Sequence, residues 1–404
     1  MVLLLLPLAA VAQDFFLLDS VHKALEGRGF VRLEADYEYG STTIHNDLML
    51  GLIQAEFISR ETRMRSSDAI DGSGVAGQSM GIDLCYMLHD SLFGRNHLRS
   101  QLHIGHRDMI GVSFDKELFD IAFFGNKQFE DVPVNVAPSA GEQQTFQKVG
   151  WGIVDERTLS SASISFVRGQ RLQHIDLEKA VLLTTTDGRR IDAEIQGKYM
   201  LSDTADGPAA AFNGAGAAID IAINRPVNWL KSGWLSIQIA DAGFVSWNKN
   251  TLSLDKDTSY SYDGILVENL FDLDGLVLGE NAIRDTLGLN FEKGTKTRLM
   301  PFLASIGLST AVSDRIHLEV SGQYRYLKGY TPQVRLNSHY QLGPFSRGSL
   351  LITYGGFTGL RAGIGYEALI AERLFVRAAI PNIPGPLSDS AKGMEGRFGV
   401  GYLF

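Results

Sequence analysis

The chain has 404 residues with 43 glycines against 11 prolines, 22 phenylalanines and 13 tyrosines, and a formal net charge of −9. That acidic balance excludes a nucleic-acid binder, which needs a basic face to neutralise phosphates. The single cysteine, Cys85, excludes an intramolecular disulfide and a thiolate metal cluster.

Mean hydropathy is near zero, and past the amino terminus no stretch reaches the roughly 18 apolar residues expected of a membrane helix. Val2 to Ala12 is an apolar run with Leu3 to Leu6 consecutive, and Ala10-Val11-Ala12 before Gln13 has the small residues of a cleavage site. Such a run is too short to span a bilayer, so residues 1–12 read as a signal peptide, although no Lys or Arg precedes them. Residues 13–75 read as an N-terminal extension, either outside a barrel or folded into its lumen as a plug. Within it, Ile44 to Arg63 spaces Leu48, Leu50, Leu52, Ile53 and Phe57 nearer a helical than an alternating period. Asp71-Gly72-Ser73-Gly74 marks a boundary, which assigns residues 76–404 to the barrel.

From there the period is two. In Ile191 to Leu201, Ile191, Ala193, Ile195, Tyr199 and Leu201 oppose Asp192, Glu194, Gln196 and Lys198, and Asp187-Gly188 is a hairpin signal joining this strand to 172–185. Ile316 to Tyr326 sets Leu318, Val320 and Tyr324 against His317, Glu319, Gln323 and Arg325; Val334 to Leu342 opposes Arg335, Asn337, His339 and Gln341. Further strands are expected at 79–88, 98–112, 145–156, 159–168, 215–224, 233–246, 298–310, 348–356, 358–368 and 372–380. Asp115 to Glu130 and Leu266 to Phe291 interrupt the alternation with short helical patterns, and no repeat with the period of a propeller or solenoid is present.

The last residues place Phe398, Val400, Tyr402 and Phe404 on one face, and Arg397, Gly399, Gly401 and Leu403 on the other. This resembles the closing strand of bacterial outer-membrane barrels, in which lipid-facing apolar residues alternate with small or polar ones. Arg397, Gly399, Tyr402 and Phe404 match the spacing of the C-terminal assembly signal of such barrels. The fold class expected is therefore all-β, a transmembrane antiparallel barrel of about 14 strands, or else about 16, since bacterial barrels favour even numbers.

Two stretches carry a family resemblance: Ala218-Ile219-Asp220-Ile221-Ala222, and Ile239-Ala240-Asp241-Ala242-Gly243-Phe244-Val245-Ser246-Trp247. They resemble paired strands of a Bacteroidota outer-membrane barrel family known only as a domain of unknown function. There, a Gly/Ala-rich strand with a central Asp precedes one reading Asp-Leu-Gly, two apolar residues and Trp; Ala242 departs from the Leu. The resemblance covers mainly residues 99–260 and implies a location and an architecture but no activity. More distantly, the chain is similar to barrels that move hydrophobic compounds.

Candidate chemistry is sparse. His103 and His106 fall on opposite faces of a strand and cannot share a metal. Asp272-Leu273-Asp274-Gly275 is half a calcium loop, but with Gly275 as the sixth residue the first and twelfth positions are Leu270 and Asn281. Gly214-Ala215-Gly216 lacks the third glycine of a dinucleotide fingerprint and leads into a strand. Cys85 reads as a buried, inert thiol. No cofactor and no metal is expected, and no motif places a nucleophile beside a base, so the protein is read as not an enzyme.

What remains is the expected lumen wall. Asp192, Glu194 and Lys198 would line it from one strand; Glu319, Arg325 and Arg335 from the next pair; Arg361, Glu367, Arg377 and Arg397 from the final strands. The arginines make either an anion-favouring pore or a ladder of ion pairs, and the net charge of −9 favours the ladder. Ile195, Leu318, Val320, Leu336 and Val400 should then face lipid, and Asn337, facing water, should accept an arginine. The expected function is a non-catalytic structural or interaction component of the cell envelope, in the outer membrane after export. Its expected partners are membrane lipid, the barrel assembly machinery and unidentified envelope proteins. The alternatives are a passive channel for small hydrophobic molecules and a membrane-embedded lipid hydrolase.

Overall fold

The computed structural model describes residues 28–186, 190–203, 210–263 and 291–404. The leader at 1–12, the Asp187-Gly188 turn, the half calcium loop and all of the 266–291 segment except Phe291 lie outside the described residues.

In the first half of the ring are β1 (Phe30–Ser41), β2 (Ser73–Met87), β3 (Leu98–Asp115), β4 (Ser139–Asp155), β5 (Ser160–Thr184), β6 (Gly214–Val227) and β7 (Gly233–Trp247). The second half holds β8 (Leu303–Ala311), β9 (Ile316–Arg325), β10 (Thr331–Gly343), β11 (Ser346–Gly356), β12 (Thr358–Ile370), β13 (Leu374–Ile380) and β14 (Gly393–Leu403). Each pairs antiparallel with the next, and β14 returns to β1 in unbroken register from Phe30↔Leu403 to Gly40↔Gly393, closing a 14-strand barrel.

The strand count matches the expectation, yet three assignments differ. β1 falls inside the supposed N-terminal extension, so the barrel begins well before residue 76. Segments 159–168 and 172–185 are one continuous strand, β5. Arg190–Leu201 leaves the ring altogether: it pairs with the upper half of β5 and with Leu252–Asp263, building a sheet beyond the barrel rim. Once β5 outgrows β6, which pairs with it only up to Gly169, its free upper edge needs hydrogen-bond partners, and this hairpin supplies them.

The helical patterns at 44–63 and 115–130 are real. α1 (Asn46–Ile53) and α2 (Arg60–Asp68) occupy the β1–β2 connection, and α3 (Lys116–Phe124) follows β3. Ser59 caps α2 by accepting from the Thr62 N–H, and Asp115 caps α3 by accepting from that of Glu117. Leu48 and Phe119 pack against Ala76 and Phe114, which alternation from Arg107 and Asp83 puts on the outer face of β2 and β3. The helices therefore crown the outside of the wall and do not plug the lumen.

At one end the connections are short, at 156–159, 228–232, 312–315, 344–345 and 371–373, with 88–97 the longest; the other end holds the long ones, at 42–72, 116–138, 185–213 and 248–302, beside 326–330, 357 and 381–392. The two faces of the wall separate cleanly. Val320 and Leu336 are 51% and 40% exposed, while their neighbours Glu319 and Arg335 are 2% and 5% exposed. Phe404 continues the outer face, its ring stacked 5.6 Å from that of Tyr86. Asn337 departs from the sequence reading: at 1% exposure, donating to Glu319 at 3.5 Å, it has no room for an arginine.

Leu336→Arg should lower stability in liposomes by about 2 to 4 kcal/mol, the cost of a lipid-facing cation near the midplane. Glu194→Gln, on the exposed sheet beyond the rim, should stay within about 0.5 kcal/mol. Urea titration of heat-modifiable mobility compares the two, and equal tolerance would contradict the assigned faces.

Candidate functional site: the lumen

Inward side chains fill the barrel in layers. At the short-turn end Phe30, Met87, Val154, Leu369, Phe375 and Leu403 form an apolar floor. Towards the long-loop end Met109, Leu327, Tyr330 and Phe357 form a ceiling. Two glycines make room for it. The Phe357 ring occupies the space where a Cβ on Gly77 would stand, and the Lys328 carbonyl does the same at Gly111. The β9–β10 connection is thereby folded inward, and Lys328 is tied to Asp176 at 2.7 Å.

Between floor and ceiling lies a lattice of buried ion pairs. Its hub is Asp241. Between Ile219 and Ile221 the β6–β7 register slips, and Asp241 takes a left-handed backbone with φ 59° while its N–H donates to the Asp220 carboxylate at 2.8 Å. Asp tolerates that conformation better than most residues, and the bulge re-aims its side chain into the lumen. There the Asp241 carboxylate meets Arg107 of β3 at 3.1 Å and Lys148 of β4 at 2.5 Å. Lys148 also reaches Asp220 at 2.8 Å, and Arg107 reaches Asp83 at 2.9 Å. The Asp241 bridges reach across the lumen from β7 to β3 and β4.

On the opposite wall Arg361 reaches Glu38 at 3.4 Å and Glu395 at 3.2 Å, and Arg397 holds Glu395 at 2.6 Å. Arg335 lies 3.9 Å from Glu395, and Arg347 meets Glu367 at 2.7 Å. Arg377 lies between Glu34 at 3.5 Å and Glu367 at 3.6 Å. Arg325 donates to the Met109 sulfur at 3.2 Å. Glu319, Arg325, Arg335, Arg361, Glu367, Arg377 and Arg397 thus all face the lumen and are buried. Asp192, Glu194 and Lys198 do not: they sit on the strand beyond the rim, where exposed Glu194 pairs with Lys179 and Lys198 lies near Asp255. Of the assembly-signal residues, Arg397 and Gly399 face inward and Tyr402 and Phe404 outward.

Sequence reading placed Glu367 on the lumen wall but missed Glu34, Glu38 and Glu395, the other carboxylates that partner its arginines. Glu34 and Glu38 stand on β1, where Val31-Arg32-Leu33-Glu34-Ala35-Asp36-Tyr37-Glu38-Tyr39 alternates plainly. Asp220 and Asp241 were quoted as motif residues, but the bulge that changes the phase of β7 has no simple sequence mark. His103 faces the lumen and His106 faces outward. His103 Nε2 lies 2.8 Å from the Ser165 hydroxyl and 3.6 Å from Asp220. A Ser-His-Asp relay needs the carboxylate on the other ring nitrogen, so this cluster is a brace within the lattice. Cys85 also faces inward and is half-buried.

A closed, antiparallel, even-stranded wall with an apolar outer face and a polar interior defines a transmembrane β-barrel of the outer-membrane class. Residues 152–376, more than half of the chain, match the model of the Family of unknown function (DUF5723), and the chain belongs to that family. No curated protein matches it significantly. Among solved structures it is similar to a deletion mutant of TodX, a monoaromatic hydrocarbon channel, with 9% identity, TM-score 0.44, 95% of this chain and 91% of that chain covered. It is also similar to a Pseudomonas aeruginosa FadL homologue, with 11% identity, TM-score 0.38, and coverage of 93% and 89%. The translocator domain of the Neisseria meningitidis autotransporter NalP gives 10%, 0.33, and 96% and 93%.

Lys148→Met should destabilise the barrel by about 2 to 3 kcal/mol, because it leaves buried Asp241 with Arg107 alone and half-buried Asp220 without its ammonium. Adding Asp220→Asn and Asp241→Asn should recover part of the loss. Urea-unfolding midpoints of the single and triple variants check this, and an unchanged midpoint for the single variant would remove the hub assignment.

Proposed function

We propose that the protein is a non-catalytic, non-conducting barrel of the bacterial outer membrane that serves as a structural or interaction component of the envelope. Its short-turn end faces the periplasm and its long-loop end the exterior, as is usual for this class. One observation carries the reading: a lattice of ion pairs crosses the lumen between an apolar floor and an apolar ceiling. An ion-conducting pore needs a continuous wet path, and passive transport of small hydrophobic molecules needs an apolar one. The cavity beneath the hub is lined by Glu34, Asp83, Arg107 and Lys148 beside Ile221 and Ile239, so it offers no continuous apolar path. A lipid hydrolase needs its nucleophile and base at the lipid-facing rim. The described Ser–His contacts, His103–Ser165 and His45–Ser66, lie in the lumen and in the β1–β2 connection.

In planar bilayers the purified protein should give no stable single-channel steps, and in liposomes no sugar-driven swelling. Sustained, reproducible conductance or uptake of a small hydrophobic probe would replace this reading with the transport alternative.

A further inference from the structure

On the outer face of β2 to β5 the apolar wall is interrupted. Arg107 and Lys148 point into the lumen, so alternation turns His106, Asp108, Thr145 and Gln147 towards lipid. Val167 packs inside with Trp247, which turns Arg168 outward as well. The strand register joins these residues to the lipid-facing wall: the row of Phe398, Ala35 and Ile82 continues into His106, Gln147 and Arg168. One row nearer the short turns stand Ile104, Val149 and Phe166, all exposed. Towards the long loops, Val112 and Phe114 pack against Leu118 and Phe119 of α3, so a shelf of helices projects from the wall there. The polar patch lies between hydrocarbon and an apolar overhang.

Ionisable groups on a lipid-facing surface are costly unless something polar meets them. Asp108 is half-buried and accepts from Thr145 at 2.8 Å and Gln143 at 3.2 Å, with no cation within ion-pair distance among the described residues. Arg168 is already committed: it donates to the carbonyls of Ala210 and Ala211 and, at 3.4 Å, to the Gln147 side chain. Gln78, one row nearer the shelf on β2, makes no side-chain hydrogen bond among the described residues. This pattern selects an occupant. A headgroup phosphate would meet an unneutralised carboxylate and no free guanidinium, whereas hydroxyls would find a carboxylate acceptor and amides that both give and take hydrogen bonds. On its short-turn side the patch opens onto hydrocarbon, so the occupant carries an apolar tail. We propose that the patch holds the saccharide headgroup of an outer-leaflet glycolipid. Asp108 accepts from sugar hydroxyls, Gln78 and Gln147 flank it, and the acyl chains lie along Ile104, Val149 and Phe166. The choice of leaflet rests on the reading that the long-loop end faces the exterior.

The full folded chain is placed in phosphatidylcholine nanodiscs doped, at equal mole fraction, with monogalactosyl diacylglycerol, plain diacylglycerol, phosphatidylethanolamine or phosphatidylglycerol. Native mass spectrometry after release counts the lipid that stays bound. The galactolipid should be retained about tenfold more than diacylglycerol, the worth of one hydrogen bond to a charged group, and more than either phospholipid. Asp108→Asn, which leaves Thr145 and Gln143 an acceptor, should remove most of that preference. Gln78→Leu breaks no described hydrogen bond and should lower the preference severalfold, whereas Glu194→Gln, beyond the rim, should leave it unchanged. Heat-modifiable mobility confirms that each variant is folded, and if Asp108→Asn is not, Gln78→Leu decides alone. Equal retention of all four lipids, preference for a phospholipid, or an unchanged preference in the folded variants overturns the proposal. Complete displacement of the galactolipid by methyl β-galactoside overturns it too, since the site would then be one for free sugar. Both leaflets of the nanodisc contain the probe, so the direction of insertion does not affect the result. A conducting protein that still retained galactolipid would overturn the proposed function and leave this site standing.

Discussion

Hydrocarbon supplies no hydrogen bonds, so every backbone N–H and C=O at lipid height must be paired within the protein. A sheet meets that demand only by closing on itself, which is why the first and last strands of this chain join without a register shift from Phe30↔Leu403 to Gly40↔Gly393. Closure and strand alternation together dictate the rest. With Val320, Leu336 and Val400 committed to lipid, the intervening Glu319, Arg335 and Gly399 have only the interior to face. The interior chemistry is thus a consequence of the exterior, and the long-loop end must satisfy whatever strands outgrow the ring.

The contents of the lumen follow from the same constraint. Charges drawn inward from opposite walls meet in a space too narrow to keep them hydrated, and a buried charge without a partner is costly. The carboxylates of β1 answer the arginines of β12 and β13; the bulge at Asp241 brings β7 within reach of Arg107 and Lys148. Ion pairs of this kind add little stability over a well-packed apolar filling. Their physical effect is on register. A one-residue slip of β10 would turn Arg335 into lipid at a cost of about 2 to 4 kcal/mol and would strand Glu395 beside one cation fewer.

Much of this was legible because alternation is local. The closing strand and the Leu318–Glu319 and Leu336–Arg335 phases can all be read from residues two apart. Legibility fails where pairing is non-local. The strand Arg190–Leu201 alternates as regularly as any in the ring, yet its phase cannot reveal that β5 continues past β6 and recruits it above the rim. β1 was lost for the opposite reason: its alternation is clear, but the helical spacing of Leu48, Leu52 and Phe57 downstream drew the whole region into one extension. The hub at Asp241 depends on a single left-handed residue, and one Asp among many carries no visible mark of it.

An ionic interior also solves a problem that precedes the membrane. A wall apolar on both faces would be made of continuous apolar strands, which are aggregation-prone while unpaired. Alternating every lipid-facing residue with Arg, Glu, Ser or Gly keeps each strand soluble until closure, and the charges find their partners only when the ring forms. The same economy explains the asymmetry between the ends. Short turns suffice where Phe30, Phe375 and Leu403 pack together inside the wall, whereas the far end bears the outgrown β5, the extra hairpin and the helices packed on Ala76 and Phe114. With the interior spent on holding the wall in register, this elaborated end carries the surface that the barrel geometry does not dictate.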